Sequence, residues 1–172
     1  MRRVRGSLLS DNRGQANGFR ILLQNLAKRA LHSFFFLRRG MTLGVRAACF
    51  DSEGRIFLVR HTYIAGWHMP GGGVERHETC LQALHKEIRE EGNLVAVSPP
   101  LLVQVYFNNR TSNKDHVLLY KLDVRQTAPK AADREISESG FFALDALPEG
   151  TTGATRRHLL EIAGETPPAD YW

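Results

Sequence analysis

A proline followed by three glycines, Pro70-Gly71-Gly72-Gly73, stands a few residues ahead of a glutamate-rich segment with helical patterning, Thr79–Glu91. That juxtaposition constrains the chain more than any other stretch. The glycines allow tight backbone conformations and close approach to a ligand. A helix starting just beyond them offers free N–H groups that favour anions. Within the helix, Leu81, Leu84 and Ile88 are spaced to lie on one face. Glu87, Glu90 and Glu91, at i, i+3 and i+4, fall within about 100° of arc bordering that face. Three carboxylates converging at the edge of a core repel one another, and a hard divalent cation would offset the repulsion. Oxygen-only ligands favour Mg²⁺, Mn²⁺ or Ca²⁺ over zinc. Alone, the helix also reads as a solvated acidic face, and the glycines as an ordinary loop. Together they suggest a metal–phosphate site in which a cation bridges the acidic helix and an anionic substrate.

The rest of the chain reads as strands mixed with a few helices. Leu43–Phe50 and Arg55–Arg60 are apolar runs separated by the turn signal Asp51-Ser52-Glu53-Gly54, a hairpin pattern. Asn93 suits the left-handed residue that ends a helix. Leu101–Phe107 and His116–Val124 are strand candidates joined by a polar loop, and residues 125–134 read as loop. Gly140–Leu144 reads as a short strand and Thr155–Ala163 as a short helix. This order predicts an α/β domain built on a mixed sheet over residues 40–172, preceded by a distinct segment, 1–39. A length of 172 residues suits one domain with a real core.

The central motif resembles the Nudix hydrolase family. That signature runs Gly, five residues, Glu, seven residues, Arg-Glu-apolar-x-Glu-Glu-x-Gly-apolar. Here Gly72 is followed by five residues and Glu78, then seven residues and Lys86-Glu87-Ile88-Arg89-Glu90-Glu91-Gly92-Asn93-Leu94. Trp67-x-Met69-Pro70-Gly71-Gly72, Gly73-Val74-Glu75 and the later Phe141-Phe142-x-Leu144-x-x-Leu147-Pro148 are also similar to Nudix sequences. Two positions depart from the signature. Lys86 replaces Arg, keeping the charge but losing the planar fork, and Asn93 replaces Gly.

The resemblance implies an α/β/α sandwich and Mg²⁺-dependent hydrolysis of a phosphoanhydride in a nucleoside diphosphate linked to another group, with Mn²⁺ as an alternative metal. Glu87, Glu90 and Glu91 would hold the metal with the Gly72 carbonyl, and Gly71, Gly73, Glu78, Lys86 and Asn93 would shape the motif. One carboxylate must act as general base: Glu90 within the helix, or Glu135 or Glu138 outside it. Arg46, Arg60 and His61 stand where similar proteins contact phosphate. Tyr106 and Phe107 could stack on a base, although core packing is the plainer role; His68 and His85 read as incidental. A nucleotide-binding module without turnover and an RNA 5′-end pyrophosphohydrolase are the competing readings. Motifs typical of ADP-ribose, NADH and dinucleoside-polyphosphate hydrolases are missing, and fold with signature does not name a substrate. A homodimer is plausible from the family.

Net charge excludes less than it first suggests. Residues 1–39 carry nine Lys or Arg against Asp11, a net +8, so the remainder of this +5 chain is at −3. A basic body made for nucleic acid is therefore not indicated. Leu22, Leu23, Leu26, Leu31, Phe34 and Phe35 recur at helical spacing, predicting an amphipathic helix over 19–38 behind a polar tail, 1–18. That helix could pack on its own domain or a second copy, lie on an anionic membrane, target the chain, or touch nucleic acid. Cys49 and Cys80 follow no metal or redox spacing, consistent with a reducing, cytoplasmic setting.

Overall fold

The computed structural model describes residues 40–172, together with Lys28. The expected tail and helix of residues 1–39 lie outside the described residues. The elements run β1 (Thr42–Phe50), β2 (Ile56–His61), β3 (Trp67–His68), α1 (Cys80–Gly92), β4 (Leu94–Ala96), β5 (Leu101–Phe107), β6 (Asp115–Gln126), β7 (Ile136–Phe142) and α2 (Gly153–Ala163). Among the described residues no helix is long and apolar enough to cross a membrane.

The sheet is mixed. β1 pairs in parallel with β6 along its whole length, from Thr42↔Asp115 to Phe50↔Asp123. The other pairings are antiparallel, with β5 and β4 on β6, and β7 and β3 on β2. Period-two alternation sends neighbouring side chains to opposite faces. Val45, Ala47, Cys49, Phe57, Val59, Tyr120 and Leu122 pack with Ala83, Leu84 and Ile88 of α1. Ala48, Phe50, Ile56, Leu58, Tyr106 and Leu119 form the opposite layer, with Leu159 of α2. This is an α/β/α sandwich, with the sheet buried on both faces.

The expected β1–β2 hairpin forms, but it is short. The two strands meet at Phe50↔Ile56 and then diverge. The edge of β1 that β2 vacates is taken by the proline–glycine loop. Ala47 N–H donates to Pro70 O, Val45 N–H to Gly72 O and Val74 N–H to Leu43 O, each at 2.9 Å. The loop thus lies antiparallel to β1 as a substitute strand and satisfies backbone groups that would otherwise be orphaned.

Helix α1 begins where the pattern predicts. Thr79 is its N-cap and forms a capping box with Gln82, a signal the Thr-x-x-Gln spacing already contained. Asn93 ends it in the left-handed conformation, at φ 52°. Leu81 is a correction: it is 45% exposed, and Ala83 joins Leu84 and Ile88 on the buried face instead. Further corrections follow from weak local signals. β3 and β4, at two and three residues, are too short for a periodicity to register. β7 is Ile136–Phe142, four residues ahead of the expected start, because pairing with β2 from Ile56↔Phe142 to His61↔Ile136 overrides its poor strand formers, Ser137, Ser139 and Gly140.

A buried polar group ties α2 to the sheet. The side chain of Glu161, 1% exposed, accepts from the Tyr106 hydroxyl at 2.5 Å and lies 2.8 Å from His158 Nδ1. Trp172 covers the cluster, 4.2 Å from the His158 ring. Burial alone would raise the Glu161 pKa, but the Tyr106 and His158 contacts outweigh it and hold it below the usual value. A carboxylate with a depressed folded pKa contributes stability above its unfolded pKa, and that contribution is lost as pH falls through the folded one. Glu161→Leu, which leaves two buried donors unpaired, is expected to cost roughly 2–6 kcal/mol at pH 7. Urea midpoints at pH 7 and pH 4 should also differ more in the native protein than in Glu161→Gln, which has no carboxylate to protonate.

Candidate active site

The site lies where β1 and β2 part, with the loop on one side and the C-terminal half of α1 on the other. Helix geometry grades its three glutamates. At about 100° per residue, Glu91 falls within about 20° of Leu84, Glu87 about 60° away and Glu90 about 120° away. Glu91 therefore continues the apolar stripe and is 6% exposed. Glu87 sits at the rim, and the Glu90 side chain is 58% exposed, with a loose 3.4 Å contact to Arg89.

Two glycines make the meeting of loop and helix possible. Gly71 adopts φ 146°, and a Cβ there would lie 2.1 Å from Val45 O. Its N–H donates to Glu91 Oε2 at 2.8 Å, and its carbonyl accepts from Arg46 Nη1 at 2.6 Å. Gly72 faces the Glu87 carboxylate so closely that a Cβ would lie 2.6 Å from Oε1. Gly73 bridges to Gly44 and has open space where a Cβ would go.

Lys86 takes the place of the signature arginine. Its ammonium stands 3.3 Å from Glu78 Oε1 and 3.7 Å from Glu87 Oε1. Glu78 Oε2 also accepts from the Glu75 N–H at 3.0 Å, tying the loop to the helix. A single point charge thus performs the bridging for which a guanidinium fork is better shaped.

Electrostatics single out Glu91 and His61. Burial pushes the Glu91 carboxyl up to about 7; the Gly71 N–H and Arg46 oppose this, while Glu87 and Glu135 add to it. Burial likewise raises Glu87, with Lys86 offsetting and Glu90 adding. His61 Nε2 is 3.7 Å from Glu91 Oε1, yet burial, Arg46 and His68 depress its pKa to about 4, so the ring is neutral at pH 7.

The structure gathers Glu87, Glu91, Gly71, Gly72, Arg46, His61, Glu78 and Lys86 around the loop. It does not bring Arg60 and Glu138 to the carboxylates. Arg60 precedes His61 in β2 and so, by strand alternation, faces the other way, where it pairs with Glu138 at 2.9 Å. Glu135 is exposed but acts electrostatically on Glu91 from the loop before β7. Tyr106 is fully buried, as core packing requires. The exposed Tyr63 beside the site went unnoticed in the sequence, because Thr62–Gly66 carries no periodicity or motif.

Among the described residues, no three His, Cys, Asp or Glu side chains enclose a metal position by themselves. The donors nevertheless suit a hard cation. They are all oxygens, Gly72 leaves the Glu87 carboxylate against bare backbone, and the two inner carboxylates lack a full countercharge. Mg²⁺ usually binds through one or two carboxylates plus water and substrate phosphate rather than in an all-protein cage.

Sandwich, inserted loop and glutamate-bearing helix together make up the fold of known Nudix structures. A MutT Nudix hydrolase from Burkholderia pseudomallei superposes with a TM-score of 0.59 at 26% identity, covering 70% of this chain and 97% of that one. An ADP-ribose pyrophosphatase from Streptococcus suis shares the fold, with a TM-score of 0.55 at 23% identity over 74% of this chain and 94% of that one. Residues 40–161 match the NUDIX domain, and the chain belongs to the Nudix family. Among curated relatives, the ADP-ribose pyrophosphatase of Methanocaldococcus jannaschii is 32% identical over 58% of this chain and 60% of its own length. An RNA pyrophosphohydrolase of Halorhodospira halophila is 43% identical over 26% of this chain and 24% of its own. The chain thus spans less than two thirds of the curated relatives it matches.

Proposed function

We propose that this protein hydrolyses a phosphoanhydride bond in a nucleoside diphosphate linked to a further group, with Mg²⁺ or Mn²⁺ as cofactor. The observation that carries this reading is the hydrogen bond from the Gly71 N–H to Glu91 together with the ion pair of Lys86 with Glu78, which join loop and helix and build the signature as a single structural unit. The names of the relatives support a pyrophosphate bond as the target.

Glu87 and Glu91 would hold the cation, with the Gly72 carbonyl beside them and Glu90 turning in from solvent. When bound, the cation neutralises the inner carboxylates and polarises the diphosphate. Arg46 fixes the loop through Met69 O and Gly71 O at 3.2 and 2.6 Å and adds positive charge. Neutral His61 beside Glu91 can donate or accept a hydrogen bond without adding charge. Glu90 takes a proton from the attacking water as its oxygen bonds to phosphorus and the bridging P–O bond breaks. Lys86 acts as a positioning residue, setting Glu78 and Glu87 against each other. Lys86→Met is expected to raise the Mg²⁺ concentration needed for half-maximal turnover roughly 10- to 100-fold, with Lys86→Arg at or below the native value.

The deciding experiment is incubation with Mg²⁺, Mn²⁺ or EDTA and a panel of nucleotide sugars, ADP-ribose, dinucleotides, nucleoside triphosphates and 5′-triphosphorylated RNA. Metal-dependent release of a nucleoside monophosphate is expected. Nucleotide binding without any metal-dependent product would overturn the hydrolase reading in favour of a binding module.

A further inference from the structure

The segment between β2 and β3 is held at both ends. Thr62 N–H donates to Glu135 O at 2.9 Å and its hydroxyl to Arg134 O at 2.7 Å. Ala65 O lies 3.0 Å from His68 Nε2. Between these anchors, two large apolar side chains face solvent, Tyr63 at 74% and Ile64 at 50% exposure. Isolated exposed aromatics are ordinary on a protein surface. This one is distinguished by its neighbours. Its ring centroid is 5.1 Å from that of His61, tilted by 39°, and His61 itself contacts Glu91. The hydroxyl is raised in pKa by partial burial and then by Glu91, with Glu135 and Glu87 adding and Arg46 opposing. Tyr63 thus stands one imidazole ring away from the Glu91 carboxylate, with most of its own ring open.

We propose that Tyr63 is the platform on which the base of a nucleotide substrate stacks, with Ile64 flanking it and the diphosphate lying over Glu87 and Glu91. The proposal rests on the hydrolase reading and names the part of the substrate that reading leaves open. A diphosphate and a planar ring are the two ends of one molecule in a nucleoside diphosphate, and the site presents a partner for each. His61 backs one side of the phenol, so the ring is positioned before a ligand arrives. Because every base has a π-face, such a platform selects for a base without strongly selecting which one.

The test compares α,β-methylene-ADP and α,β-methylene-UDP, which resist cleavage of the anhydride position, with base-free methylenediphosphonate. Each is titrated calorimetrically in Mg²⁺ into the native protein, Tyr63→Ala and Tyr63→Phe. The nucleoside compounds should bind the native protein more tightly than methylenediphosphonate. Tyr63→Ala should weaken them roughly 5- to 150-fold and leave methylenediphosphonate unchanged, with Tyr63→Phe close to native. Equal affinity of the native protein for compounds with and without a base overturns the platform but leaves the diphosphate site standing. So does a Tyr63→Ala loss shared by methylenediphosphonate, or no loss at all. Binding of none of the three compounds to the native protein overturns the hydrolase reading and the platform together.

Discussion

Glu90→Gln is expected to lower turnover about 100- to 10,000-fold, the range associated with loss of a general base, with little change in unfolding midpoint. The two parts of this expectation have separate physical grounds. Glu90 makes one loose contact, to Arg89, and most of its side chain is in water, so the fold does not depend on it. It stands one helical turn from Glu87, near enough to act on that carboxyl electrostatically, and in the proposed mechanism it would turn toward the cation and the attacking water. Single-turnover rates for Glu90→Gln and Glu135→Gln, measured side by side at saturating Mg²⁺, decide the assignment. Should Glu135→Gln carry the loss and Glu90→Gln retain activity, the base belongs to the loop before β7, from which Glu135 already acts on Glu91.

The second large effect concerns the backbone. Gly71→Ala is expected to destabilise the protein by about 3–5 kcal/mol and to abolish activity. The added Cβ would collide with Val45 O at 2.1 Å and with Arg46 Cα at 2.9 Å, neither of which can rotate away. Moving the loop would also withdraw the N–H held by Glu91 and the carbonyl held by Arg46. The neighbouring glycines provide a graded control. At Gly72 the obstacle is the Glu87 carboxylate, the end of a flexible side chain, so Gly72→Ala should retain most stability yet lose activity. At Gly73 nothing stands within 4 Å of the added atom, and Gly73→Ala should fall within about 0.5 kcal/mol of native. Urea unfolding of the three variants, alongside turnover, reads out the series. Equal behaviour of all three would mean that the loop is not seated against β1 as described.

The local code of this chain was readable where one segment contains all the information. The periodicity of Leu84 and Ile88 and Asn93 as the left-handed end mark α1 from neighbours within a few residues, while Thr79, read as the first helical residue, proves to be the cap one position ahead of it. The spacing from Gly72 through Glu78 to Glu91 marks the same segment as a Nudix motif. The strands β1, β2, β5 and β6 were legible for the same reason, since each is a run of apolar residues long enough to show its period. β7 was misplaced because its residues favour a strand only weakly and β2 provides the pairing. β3 and β4 are made by contacts alone.

The sequence by itself therefore determined the α/β class with a mixed sheet, the acidic helix and the loop that precedes it, because helix periodicity and strand alternation are short-range properties. The order in which the three glutamates are buried follows from their angles to Leu84 on the helix, but only the tertiary structure decided what each one meets: Glu91 the Gly71 N–H and His61, Glu87 the bare backbone of Gly72, and Glu90 the solvent. Likewise, Arg60 and His61 are adjacent in sequence, and strand alternation sends one to Glu138 and the other to Glu91. The divergence of β1 from β2, which admits the loop and exposes Tyr63 at its margin, depends on hydrogen bonds between segments more than twenty residues apart, such as those from Val45 to Gly72 and from Ala47 to Pro70. No local pattern encodes such a meeting, because its free energy exists only once the sheet has formed.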